Sequence, residues 1–122
     1  MNNLTANLQN VSSRVSDACK KAGRDPSEVT VLAVSKKHPA SRIRALHGLG
    51  QTAFGENYVQ EALTKQSQLQ DLSIEWHFIG PLQSNKTREV SAHFAWVHSV
   101  DRSKIIRRLS QQRPEHLPPL HV

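Results

Sequence analysis

Residues 29–39 read Val29-Thr30-Val31-Leu32-Ala33-Val34-Ser35-Lys36-Lys37-His38-Pro39, and the order of residue types in this stretch decides the fold. Its first six positions form a continuous β-branched and aliphatic run of strand length, without the polar alternation of a half-solvated strand. The reading is a strand over 29–34 buried on both faces, as in a parallel sheet. Four polar residues end the run, and Pro39 opens a helix across 41–49 that Gly50 closes.

Upstream, Leu4, Leu8, Val11, Val15 and Ala18 recur at spacings of four and three, one apolar stripe on a helix over roughly 4–22. Gly23 stops that helix, and Arg24-Asp25-Pro26-Ser27 supplies a turn. Downstream the strand–helix phrase repeats. Thr52-Ala53-Phe54-Gly55 predicts a second strand leading into Glu56-Asn57, then a helix over about 58–68 with Val59, Ala62 and Leu63 inward. Glu75-Trp76-His77-Phe78-Ile79 predicts a third strand, followed by a helix to about Ala92 with Ser84 as its N-cap. Ala95-Trp96-Val97-His98 predicts a fourth, and Asp101 is placed to cap a helix that turns Ile105, Ile106 and Leu109 inward. At Leu117-Pro118-Pro119-Leu120-His121-Val122 a fifth strand is only begun.

A strand–helix unit recurring about every 20–25 residues predicts a parallel sheet with right-handed crossovers. A closed barrel needs eight units and about 200–250 residues, so four units and a stub make half of one. An open flavodoxin-like sheet suits the 122-residue length, yet it would complete its fifth strand and add a closing helix. The ending therefore reads as a cut.

Composition sets outer bounds. With 37% apolar and 21% charged residues the chain is expected to fold as one domain. A single cysteine, Cys19, excludes an internal disulfide framework, and the first ten residues have no pattern of a secretory or organellar leader, which points to a reduced, cytoplasmic protein. No apolar run approaches the roughly 18 residues needed to span a bilayer, so no membrane role is expected. The net charge of +6 invites a nucleic-acid reading. From His77 onward, however, seven basic residues stand against three acidic ones, and no aromatic residues interleave with the basic cluster from Arg102 to Arg113. A solvated helix face explains that local excess, and no nucleic-acid partner is expected.

In parallel α/β proteins the ligand site forms where the C-terminal ends of the strands converge. Those ends here carry Ser35-Lys36, Glu56-Asn57-Tyr58, Gly80 to Lys86, and His98-Ser99-Val100-Asp101. A lysine at the end of so apolar a run risks partial desolvation, which makes its neutral, nucleophilic amine accessible and suits it to an aldehyde. The other reading of Lys36 is a solvated strand-end lysine, and spacing alone leaves both open. Lys37 should point to the opposite side of the pleat, so the two lysines are not equivalent. The seven histidines form no H-E-x-x-H pattern and Cys19 stands alone, so no metal site is implied. There is also no G-x-S-x-G elbow and no P-loop.

Three longer strings carry more information. Leu32-Ala33-Val34-Ser35-Lys36, Phe54-Gly55-Glu56-Asn57-Tyr58-Val59-Gln60-Glu61 and Trp76-His77-Phe78-Ile79-Gly80-Pro81-Leu82-Gln83-Ser84-Asn85-Lys86 occur in this order, followed by His98-Ser99-Val100-Asp101. Together they closely resemble the pyridoxal phosphate homeostasis protein family, the YggS/PROSC proteins. The resemblance covers the whole chain but corresponds only to about the N-terminal half of such a protein. It implies a (β/α)8 TIM barrel similar to the N-terminal domain of alanine racemases, of which residues 1–122 supply about the first four strand–helix units. It implies pyridoxal 5′-phosphate (PLP) bound as an aldimine on Lys36, with Asn57 and His77 near the cofactor ring. Gly80 and the Gln83–Lys86 loop would shape the mouth of the pocket. Glu56 would either stabilise the charge of the bound cofactor or be solvated at the rim. The family's Ser- and Gly-rich phosphate-binding turns and the arginine that approaches the pyridine nitrogen fall in the half not represented here. No glycine-rich phosphate cradle occurs within residues 1–122.

Two functions follow from the resemblance. One is a non-catalytic carrier in PLP homeostasis that delivers the cofactor to apo-PLP enzymes. The other is a fragment of a racemase-type PLP enzyme, which would need a further acid or base to exchange a substrate α-proton. Racemases of this kind supply that group from elsewhere in the chain, partly from a second domain, so the carrier is the favoured reading. Half a barrel also leaves two open sheet edges, which predict self-association.

Overall fold

A computed structural model describes residues 3–122. Four strands, β1 (Ala33–Val34), β2 (Ala53–Glu56), β3 (Glu75–Phe78) and β4 (Trp96–Val97), form one parallel sheet in sequential order. Five helices alternate with them: α1 (Leu4–Ala22), α2 (Ala40–Gly48), α3 (Val59–Gln68), α4 (Thr87–His93) and α5 (Ser103–Gln112). Short 3-10 turns occupy Pro26–Glu28 and Ser84–Lys86. The fifth strand is indeed only begun, since His121 makes a single parallel bridge to Trp96.

Helices cover one face of the sheet. Phe78 and Val97 on that face pack with Val59, Ala62, Leu82, Val90, Phe94, Ile105 and Leu109, while Phe54 packs with Ile43 of α2 and Leu69. The half-buried Trp76 touches both clusters and joins them into one layer. Alternation then sends the intervening residues to the other face, where Val34, Gly55, His77 and Trp96 stand in Cα register across the four strands. A barrel would enclose this second face, but four strands leave it open.

The first strand departs from expectation for that reason. It is two residues long and its residues are half-buried or exposed, with Val34 at 50% exposure. The ladder starts only where Ala33 meets Phe54 of β2, and the Val31 carbonyl is instead taken by the Gln51 side-chain amide at 2.8 Å. Hydrophobicity of the run reported the strand but not its edge position. Neither predicted cap forms. Ser84 begins a 3-10 turn, where its carbonyl accepts from Thr87 Oγ1, and Asp101 is exposed beside Arg102 instead of capping α5. In α5, Ile105 and Leu109 lie one turn apart in the core, whereas Ile106 is rotated off that face and 54% exposed. Gly23 ends α1 as expected, at φ 70° in the left-handed region, with its N–H on the Lys20 carbonyl and the Arg24 N–H on that of Cys19.

Candidate functional site

The strand ends are drawn together by backbone contacts between consecutive exits. The Ser35 N–H donates to the Gly55 carbonyl, the Ile79 N–H to the Glu56 carbonyl and the His98 N–H to the Phe78 carbonyl, each at 2.9 Å. Ser99 Oγ donates to the Gly80 carbonyl, tying the exit of β4 to that of β3. At Gly80 a side chain is excluded, since a Cβ would lie 2.5 Å from the Asn57 carbonyl oxygen and 2.9 Å from its Cα. The replacement Gly80→Ala must displace the Asn57 backbone, and we expect it to cost about 1–3 kcal/mol of stability, read as a lowered denaturation midpoint.

Lys36 directly follows Ser35 at the end of β1. It is exposed, and its amine makes no hydrogen bond or ion pair among the described residues. Val34 is the last residue of β1, and Lys36 and Lys37 lie in the turn that follows, closed by the His38 N–H on the Ser35 carbonyl. Asn57 follows Glu56 on the neighbouring strand. Its Oδ1 is buried and has no hydrogen-bond partner among the described residues. A groove of about 420 Å³ beside it is lined by Asn57, Tyr58, Pro81, Gln83 and Lys86, so the Gln83–Lys86 turn does border the space next to Asn57. The ends of adjacent strands thus offer a free primary amine and an unsatisfied amide oxygen.

His77 lies one step further back, inside β3, and is 6% exposed. Its Nε2 contacts Glu75 Oε1 at 2.8 Å, its Nδ1 contacts His98 Nε2 at 2.9 Å, and its ring stacks on Trp96 with centroids 5.5 Å apart. His77 is therefore a hydrogen-bonded group in the wall of the open face. Partial burial, and secondly the nearby His77, push the pKa of His98 below the usual histidine value.

Unlike Lys36, Lys37 is held by its neighbours. The Lys37 ammonium lies 4.7 Å from the centre of the Tyr58 ring, a cation–π contact. Its backbone is left-handed at φ 67°, which costs a non-glycine residue about 1–2 kcal/mol. The Lys37 N–H is held by Glu61 Oε2 at 2.6 Å.

Glu56 is not solvated at the rim. As the second residue after Phe54 it shares the helix-covered face, is 0% exposed, and accepts from Ser35 Oγ and from Lys65 Nζ at 2.9 Å. Lys65 was missed altogether. It projects from α3, is buried, and also donates to the Ser35 carbonyl and Glu61 Oε2, both at 2.7 Å. The Lys65 hydrogen bond, reinforced by the Lys37 N–H, holds the Glu61 carboxyl below its ordinary pKa against partial burial.

Half of a parallel β/α barrel of the TIM type, with a free lysine ending its first strand, is the class that this fold and these strand ends define. The chain is 57% identical over its whole length to the pyridoxal phosphate homeostasis protein of Pseudomonas aeruginosa and 52% identical to that of Escherichia coli, covering 53% of each. Among solved structures it superposes on PipY of Synechococcus elongatus with PLP bound, with a TM-score of 0.68 and 45% identity over 84% of this chain and 47% of that one. A protein of Bifidobacterium adolescentis described as unknown gives a TM-score of 0.78 at 28% identity, over 89% and 49% of the two chains. No protein-family model matches the chain. The chain is thus similar along its whole length to about half of a pyridoxal phosphate homeostasis protein, and it spans about half the length of the curated relatives it matches.

Proposed function

We propose that residues 1–122 form the N-terminal half of an alanine-racemase-like barrel domain that carries pyridoxal 5′-phosphate on Lys36, in a cytoplasmic homeostasis protein without catalysis of its own. The observation that supports this most is that the end of β1 carries a Lys36 amine without a partner among the described residues while the end of the adjacent β2 carries the unsatisfied Oδ1 of Asn57. Those two groups fit the aldehyde and ring-hydroxyl end of PLP, which supplies a carbonyl able to condense reversibly with a primary amine. Lys36 would provide that amine and Asn57 a hydrogen-bond acceptor on the adjacent strand. His77, fixed between Glu75 and His98, would contribute a rigid wall below them. The carrier reading follows the names of the relatives and assigns no proton transfer to these residues. Release of the cofactor to apo-PLP enzymes is its proposed outcome.

The test is optical. Incubation with PLP should produce absorbance near the visible edge, and added D- or L-amino acids should draw the cofactor off without exchanging their α-protons. Enzyme-like α-proton exchange with solvent deuterium would overturn the non-catalytic reading. We further propose that the isolated chain self-associates through its outer edges, because β1 is paired on one side only and β4 meets just the His121 bridge on its outer side. Sedimentation should then find species heavier than 13.7 kDa, whereas a monodisperse monomer would contradict it.

A further inference from the structure

Lys36 sits between two peptide groups, and one cluster, buried at Glu56 and Lys65 and half-buried at Glu61, holds both. On its N-terminal side the Ser35 carbonyl accepts from Lys65 Nζ at 2.7 Å, and Ser35 Oγ donates to Glu56. On its C-terminal side the Lys37 N–H donates to Glu61 Oε2 at 2.6 Å. Lys65 closes the circuit with 2.9 Å and 2.7 Å contacts to Glu56 and Glu61. Three elements take part: β2 supplies Glu56, α3 supplies Glu61 and Lys65, and the segment after β1 is the part that is gripped. The other contacts on this segment are the Ser35 N–H and Ser35 Oγ to the Gly55 carbonyl, the His38 N–H to the Ser35 carbonyl, and Lys37 over Tyr58.

Apolar packing of similar volume would serve stability at least as well as a carboxylate and an ammonium withdrawn from water, as Glu56 and Lys65 are, so stability alone is a poor reason for this cluster. Its geometry suggests another. Glu56 lies on the helix side of the sheet, and the hydrogen bonds of the cluster converge on the backbone immediately either side of Lys36.

We propose that Glu61 and Lys65 are positioning residues for Lys36, clamping the peptide groups before and after it so that its amine leaves a fixed base. The inference rests on the assignment of PLP attachment to Lys36. Neither residue would touch the cofactor. Lys65 sets the Ser35 carbonyl, Glu61 sets the Lys37 N–H in its left-handed conformation, and their mutual ion pair couples the two.

The experiment compares the full chain with Glu61→Ala, Glu61→Gln and Leu109→Ala, the last a core truncation in α5. Amide hydrogen exchange at Lys37 is followed without cofactor, and the rate of PLP condensation at Lys36 is followed by borohydride fixation and peptide mapping. In Glu61→Ala the Lys37 amide should exchange faster and condensation should slow about tenfold, the order expected when a reacting group loses its orientation. Glu61→Gln keeps an oxygen that can accept the Lys37 N–H and should restore much of both, and it carries the test if the alanine variant fails to fold. Leu109→Ala should lower the melting temperature and change neither. Condensation indifferent to Glu61, or slowed equally by Leu109→Ala, would overturn the positioning role alone. An unaltered chain that never condenses at Lys36 would overturn the attachment and the positioning role together.

Discussion

Lys36→Ala is expected to abolish the near-visible absorbance that PLP develops with this chain, leaving about a tenth or less of the signal as scattered reaction with solvated lysines. The expectation comes from comparing the seven lysines. Lys65 has three hydrogen bonds and is buried, so its amine has neither the lone pair nor the space for a carbonyl. Lys37 is drawn over the Tyr58 ring. Lys20 and Lys21 belong to the last turn of α1, Lys86 to the turn before α4, and Lys104 to the first turn of α5. Only Lys36 combines a free amine with a place at the end of β1, beside the strand that leads into Asn57. Lys36→Arg should be as inactive as the alanine variant, because a guanidinium keeps the charge but offers no nucleophile. A full signal from either variant, measured by difference spectroscopy, would show that another amine reacts.

The second large effect is on stability. Lys65→Met removes the cation from a carboxylate that is completely buried and whose Oε1 already has no partner. Breaking one side of a buried pair typically costs about 3–5 kcal/mol, and the denaturant midpoint should fall accordingly. Exchanging both buried partners, as in Glu56→Leu with Lys65→Met, should recover most of the loss, since no buried charge is then stranded and Glu61, which also loses Lys65, still reaches water. A double variant as unstable as Lys65→Met would contradict this account of the cluster. Acid should act through Glu61. Its depressed folded-state pKa means that its contribution is fully present above the ordinary 4.5 and disappears as the pH falls through the lower folded value. Lys65→Met removes the chief cause of that depression, so the acid-dependent loss through Glu61 should shrink and the acid limb flatten, which melts recorded across that range would reveal.

The unequal legibility of this chain has physical reasons. The order of strands and helices could be read because each apolar run faces a helix layer, and the 3.6- and 2-residue periods report such burial directly. The extent of β1 could not, because its length depends on where β2 begins and on an open second face, both tertiary facts. The exits bearing Lys36 and Asn57 follow from strand positions, and His77 was legible as a residue of β3, but its partners Glu75 and His98 depend on which side each strand turns outward. The Glu56–Lys65 pair was hidden because Glu61 and Lys65, four apart on a helix, look like an ordinary solvated pair. One signal was available. Phe54 must face the helices, and alternation places Glu56 on the same side, where a carboxylate needs a cation.

The most direct measurement is peptide mapping after borohydride reduction of the unaltered chain equilibrated with substoichiometric PLP. The account predicts that the pyridoxyl mass falls on the peptide containing Lys36 and nowhere else in comparable yield. Label distributed among Lys20, Lys21, Lys86 and Lys104 at levels similar to Lys36 would contradict it.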